Sequence, residues 1–287
     1  RKLSAIITIF AVCAYMLSAM QGISTLMSAI TGLDYQACTV IAWLSFTVFT
    51  IYSGSMGVLI TDTIMFLVFL SAAIIAVPFI TSSAGGWITA IHNLANSTTS
   101  PGIISWHSNL SYMFPSGVEN IIWAFMYGVV WMLVVMVSPW QTSRYLMAKN
   151  EHTVLRSAVW ASMAVMVTTI LLYFVAAFIQ SVNPSLVPSE AIIWASMNLM
   201  PTIVGVVLLA GILAAGISSA STFLSLIGFS LTNDIFHLND GSNTRKLMVS
   251  RIGMLIASLV ILLIAYLNPP QIFIIMYFGG TVIAAPW

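Results

Sequence analysis

GVVLLAGILAAGISSASTFLSLIGFSLTNDIF, residues 205–236, is apolar enough to enter a bilayer, yet its centre is built from residues with almost no side chain, followed at once by hydroxyls. Gly211, Ala215 and Ser219 recur every four residues and so share one helix face, where another backbone can approach closely. Ala214, Ser218 and Thr222 repeat the pattern on the neighbouring face. Two readings follow. Small-residue stripes pack helices, and a membrane serine commonly bonds back to its own backbone. Alternatively, Ser218 and Ser219 present hydroxyl oxygens beside the Ala215 carbonyl, a set suited to a small hard cation, provided that the helix distorts locally to free that carbonyl.

The rest of the chain makes a membrane setting unavoidable. Charged residues are 5% and hydrophobic residues 60% of the 287, too little polar surface to solvate a domain of this size. At about 20 apolar residues per crossing the chain holds seven or eight helices, and no stretch alternates like a barrel strand. The expected spans are 3–30, 36–52, 58–80, 119–146, 154–181, 202–236, 246–266 and 271–287, forming one polytopic domain over 1–287. A tight turn is expected at Ser53-Gly54-Ser55-Met56-Gly57, a break at Ser138-Pro139, and short helices around Trp87–Leu94 and 189–199. Residues 202–236 are too many for one perpendicular crossing, so this helix tilts, bends or projects.

Basic residues orient these spans. Arg1 and Lys2, then Arg144, Lys149 and Arg156, then Arg245, Lys246 and Arg251 all fall on one side if every span crosses once. The opposite loops carry only Asp34, Glu119 and Glu190, so the basic side is cytoplasmic and the 82–118 loop external. That loop contains two glycosylation sequons, at Asn96 and Asn109, of a kind that arises by chance in Ser/Asn-rich sequence.

The chemistry-bearing residues are few. Asp62 is a carboxylate near the start of the third span; it is either a helix N-cap or a charge that needs water or a cation. Trp123, Tyr127 and Trp131 share one face of the fourth span, with Trp123 placed as an interfacial anchor and Trp131 deeper, about two turns before Pro139. Gln21 and Tyr15 lie at membrane depth, facing either the same cavity or a neighbouring helix. His92, His107, His152 and His237 fall in loops without metal-ligand spacing, Cys13 and Cys38 form no CxxC pattern, and neither a catalytic constellation nor a phosphate-binding loop is present. An enzyme, ATP-driven transport and nucleic-acid binding are accordingly not expected.

AGILAAGISSASTFLS with TNDIF, together with GLDYQ (32–36), TDTIMF (61–66), SPWQTSRYLMAKN (138–150) and NPPQ (268–271), resembles the sodium/solute symporters, the group with proline, pantothenate and sugar carriers. The resemblance implies an all-α, LeuT-like inverted-repeat bundle, incomplete here, comprising core helices three to nine and the start of ten, with further helices before Arg1 and after Trp287. It implies a multi-pass protein of the cell membrane that imports a small organic solute with Na+ by alternating access. An ion channel, a sodium-binding sensor of the same fold and an intramembrane enzyme are the rival readings. It further favours Ala215, Ser218 and Ser219 as half of a sodium site and implies Asp62 on the inward sodium route and Trp140 where sugar carriers keep an aromatic inner gate; Trp131, Tyr127 and Gln21, read from their depth and shared face, are the candidate solute contacts.

The orientation is directly testable. A cysteine introduced at Asn96 is expected to react with impermeant thiol reagents from outside, and one at Glu151 or Asn243 only from the cytoplasmic side; labelling of the 82–118 loop from inside would overturn the assignment.

Overall fold

The computed structural model describes residues 2–108, 115–187, 190–236, 243–267 and 272–284. Arg1, the Asn109 sequon, Pro188, His237, the NPPQ segment at 268–271 and Trp287 lie outside them. Every regular element among the described residues is helical. In chain order these are α1 (Lys2–Thr31), α2 (Tyr35–Ser83), α3 (Trp87–Ala95), α4 (Gly117–Val137), α5 (Pro139–Leu146), α6 (Glu151–Val182), α7 (Ala191–Asn198), α8 (Thr202–Phe229) with a π-helical turn at Ser230–Ile235, α9 (Asn243–Tyr266) and α10 (Ile272–Ala284). Seven stretches among the described residues are long and apolar enough to cross a membrane.

Two departures from the sequence-based expectation matter. No turn interrupts 53–57: the backbone stays helical from Tyr35 to Ser83, so the apolar stretches Tyr35–Tyr52 and Gly57–Ser83 belong to one 49-residue helix. At about 1.5 Å per residue a straight helix of that length is more than twice the hydrocarbon thickness, and two crossings from it require a bend. Glycine lowers helix stability by only about 1 kcal/mol, which flanking apolar helix can override. The second departure is that α8 remains regular through Ala215; its distortion comes at Ser230–Ile235, where Phe236 N donates to Leu231 O at 3.0 Å in the wider π register.

Elsewhere local chemistry sets the boundaries. Ser138 is extended (ψ 133°) and Pro139 opens α5, because proline has no N–H to continue α4 and disfavours helix in the residue before it. Ser116 and Glu119 exchange reciprocal bonds of 3.2 Å at the start of α4, and Asn150 caps α6 by accepting from Thr153 N at 2.8 Å.

The chain divides into two compact units. The first comprises Arg1–Phe66, Val130–Met147 and Ile212–Trp287. Within it α1 is central, packing on α10, α9 and the π-helical turn. Met16, Met20, Phe46 and Leu224 are buried in one of its cores, and Gly279 of α10 would bring an added Cβ to 3.1 Å from Ala11 O. The second unit comprises Leu67–Val129 and Ala148–Gly211. Here α3 packs on α6 through Trp87, Phe174 and Phe178, and Gln180 Nε2 donates to Ser100 Oγ at 2.5 Å. The start of α8 lies against α7 so closely that a Cβ on Gly205 would fall 2.1 Å from Ser196 O.

That contact yields a matched pair of variants. Gly205→Ala is expected to separate two backbones and destabilise the protein by about 1–3 kcal/mol, read as a lower Tm and loss of monodispersity. Gly128→Ala, inside α4 with nothing within 4 Å, is expected to hold or raise the Tm and keep the protein monodisperse, and equal behaviour of the two would refute the packing.

Candidate functional site

The first unit gathers most of the singled-out residues into two adjoining layers. The upper layer is a cavity of about 550 Å³ walled by α1, α4, α5, α8 and α10, with Tyr15, Trp131, Trp140, Phe223, Ala215 and Ser219 in its lining. Three of these rings close on one another. Tyr15 lies 5.0 Å from Trp140 and 5.6 Å from Phe223, and Trp140 lies 5.4 Å from Phe223. Trp131 meets Tyr15 edge-on at 6.4 Å. Among the described residues, no ionisable acid or base lines the cavity apart from the Tyr15 phenol.

The lower layer surrounds Asp62. One carboxylate oxygen, Oδ2, accepts Arg144 Nη2 at 2.5 Å; the other, Oδ1, accepts the Ser218 hydroxyl. Arg144 Nη2 also donates to Thr222 Oγ1 at 3.4 Å. The Asp62 side chain is 11% exposed and that of Arg144 37%, at a second cavity of about 330 Å³ that also includes Ser143 and Ser225 in its lining. Since α2 is already helical 27 residues before it, Asp62 is not an N-cap: it is an interior helical carboxylate held by α5 and α8.

Neighbouring serines on α8 therefore have different partners. Successive helical residues point about 100° apart. Ser219 donates back to Ala215 O at 2.9 Å in the cavity wall, as a packing serine does, whereas Ser218 reaches across to Asp62. Ser218, Thr222 and Ser225 continue a hydroxyl-bearing face at helical spacing, joined by Ser221, whose hydroxyl is fully buried without a hydrogen-bond partner among the described residues. Close packing is present too: a Cβ on Gly216 would meet Ile23 of α1 at 2.6 Å.

Two expected solute contacts are not among the lining residues of either cavity. Gln21 is buried beside Tyr35 of α2 and is not in the cavity lining; Tyr127 belongs to the second unit, where it stacks on Trp123 at 5.3 Å. Arg144 and Phe223 are the residues the sequence reading missed. SPWQTSRYLMAKN contains the arginine, but its partner is 82 residues away and leaves no local pattern. Phe223 sits four residues after Ser219, a spacing that signals a shared face.

With this geometry in place, the chain can be set beside known proteins. The profile of the sodium:solute symporter family matches residues 1–286. The protein belongs to that family. Its fold matches a solved Na+-coupled sialic acid symporter, in a substrate-bound outward-open state described as revealing a novel Na+ site, with a TM-score of 0.72 and 19% identity over 96% of this chain. The fold is thus the LeuT-like bundle of a multi-pass membrane protein, and the chain spans 61% of the length of that symporter. No curated protein matches the sequence.

The ring cluster makes a stability prediction of its own. Trp140→Ala removes two ring pairs worth about 1 kcal/mol each and is expected to lower the Tm clearly more than Trp140→Phe, which keeps an aromatic face; indistinguishable melting would show that the rings do not hold this layer together.

Proposed function

We propose that this chain belongs to a sodium-coupled secondary active symporter that brings a small organic solute across the cell membrane by alternating access. The observation that carries the reading is that two sites share α5 and α8: a ring-lined cavity whose wall includes Ala215 and Ser219, and a low-exposure carboxylate, Asp62, bonded to Ser218 and Arg144. The cavity has the size and character of a small-molecule site, apolar and aromatic with a few polar groups. A carboxylate with neighbouring hydroxyls is an oxygen set that suits a hard monovalent cation such as Na+; the Ala215 carbonyl, which accepts from Ser219 in a regular stretch of α8, joins the set only when the helix distorts there. Trp140 and Phe223 close against Tyr15 as an inner gate, and the end carrying Arg144 is cytoplasmic by the basic-residue asymmetry.

In the complete transporter, Ser218→Ala and Ser219→Ala are each expected to raise the sodium concentration for half-maximal uptake, and Asp62→Asn to weaken sodium dependence more than solute recognition. Ser258→Ala on α9, whose hydroxyl bonds Leu255 O, is expected to do neither. Counterflow uptake of a panel of radiolabelled solutes into proteoliposomes measures all four. Currents that need no solute would instead favour a channel, and unchanged sodium activation in the serine and Asp62 variants would contradict the assignment.

A further inference from the structure

The Asp62 carboxylate is already occupied by a cation, and that cation is covalently part of the protein. Arg144 Nη2 takes Asp62 Oδ2 at 2.5 Å and reaches Thr222 Oγ1 at 3.4 Å, while Ser218 takes Oδ1. Asp62 Oδ2 and Thr222 Oγ1 are oxygens that an incoming metal cation would need, and a guanidinium N–H between them excludes it. We propose that Arg144 is a tethered counter-ion that competes with sodium for Asp62, and that its return to the carboxylate drives sodium off. The proposal rests on the reading of Asp62 and Ser218 as part of the cation route.

Three features make such an exchange physically reasonable. Charge is conserved in the swap: a carboxylate only 11% exposed keeps one positive partner whether it holds Na+ or the guanidinium, so neither state leaves it uncompensated. The arginine has somewhere to go, because its side chain is 37% exposed and lines a cavity of about 330 Å³. Its backbone sits on α5, an eight-residue helix set off from α4 by the extended Ser138 and by Pro139. The same helix carries Trp140 one turn earlier, in contact with Tyr15 and Phe223, so a displacement of α5 that parts the rings also moves the guanidinium. Arg144 is a positioning and competing residue here, not a sodium ligand.

Equilibrium 22Na+ binding to the purified complete transporter tests this without knowledge of the solute. Arg144→Gln removes the competitor and is expected to tighten sodium binding by about fivefold or more, since an occupied site lowers apparent affinity by the fraction it blocks. Arg144→Lys keeps the charge but loses the planar fork, and is expected to fall between Arg144→Gln and the parent protein. In an Asp62→Asn background, Arg144→Gln is expected to have no further effect. Sodium binding that is unchanged or weaker in folded Arg144→Gln overturns the proposal, and so does a gain that persists with Asp62→Asn. If Arg144→Gln does not purify as monodisperse protein, Arg144→Lys decides alone: tighter binding than the parent supports the competition and equal or weaker binding overturns it. Asp62→Asn that binds sodium as the parent does would defeat the cation-route reading itself; Asp62→Asn that weakens binding while Arg144→Gln fails to tighten it defeats only the role of Arg144.

Discussion

A carboxylate placed inside an apolar helix constrains everything near it. Asp62 cannot stay charged at low exposure without partners, and α5 and α8 supply them through Arg144 and Ser218. The pairing draws together three helices of the first unit whose partner residues are about 80 to 156 positions apart. It also explains why α8 carries hydroxyls where a purely packing helix would carry alanine. Ser218 and Thr222 form a polar edge that meets the Asp62–Arg144 pair, while Ser221 beside them is buried without a hydrogen-bond partner among the described residues.

The short helix α5 ties this edge to the cavity. Pro139 ends α4, fixes the start of α5 and thereby sets Trp140 among the rings and Arg144 at the carboxylate, one helical turn apart. The ring-lined cavity and the Asp62 cluster thus share two elements, α5 and α8. A ligand that changes the packing of either layer acts on the other through backbone, which is the physical requirement for coupling between two sites.

How much of this was legible in the sequence depends on the range of the signal. Membrane class, the break before Pro139 and the short helices α3 and α7 follow from composition and local chemistry. The turn at 53–57 was misread because serine and glycine break helices only where nothing else favours them, and here long apolar flanks do. Asp62 was recognisable as unusual, yet its N-cap reading failed with that same turn. Neighbouring Ser218 and Ser219 could not point alike, a consequence of helix geometry that spacing alone reveals. The Asp62–Arg144 pair and the contacts of Tyr15 with Trp140 and Phe223 join residues distant along the chain, and no local periodicity encodes them.

The central claim is that one set of helices holds a solute cavity and a cation position that sense each other. Its most direct test is to measure, on the complete transporter, the dissociation constant of 22Na+ with and without saturating solute, and that of the solute with and without sodium, using the solute identified by counterflow. The account predicts that each ligand tightens the other by the same factor, as linkage demands. Solute binding that is indifferent to sodium, in protein that still binds both, would contradict it.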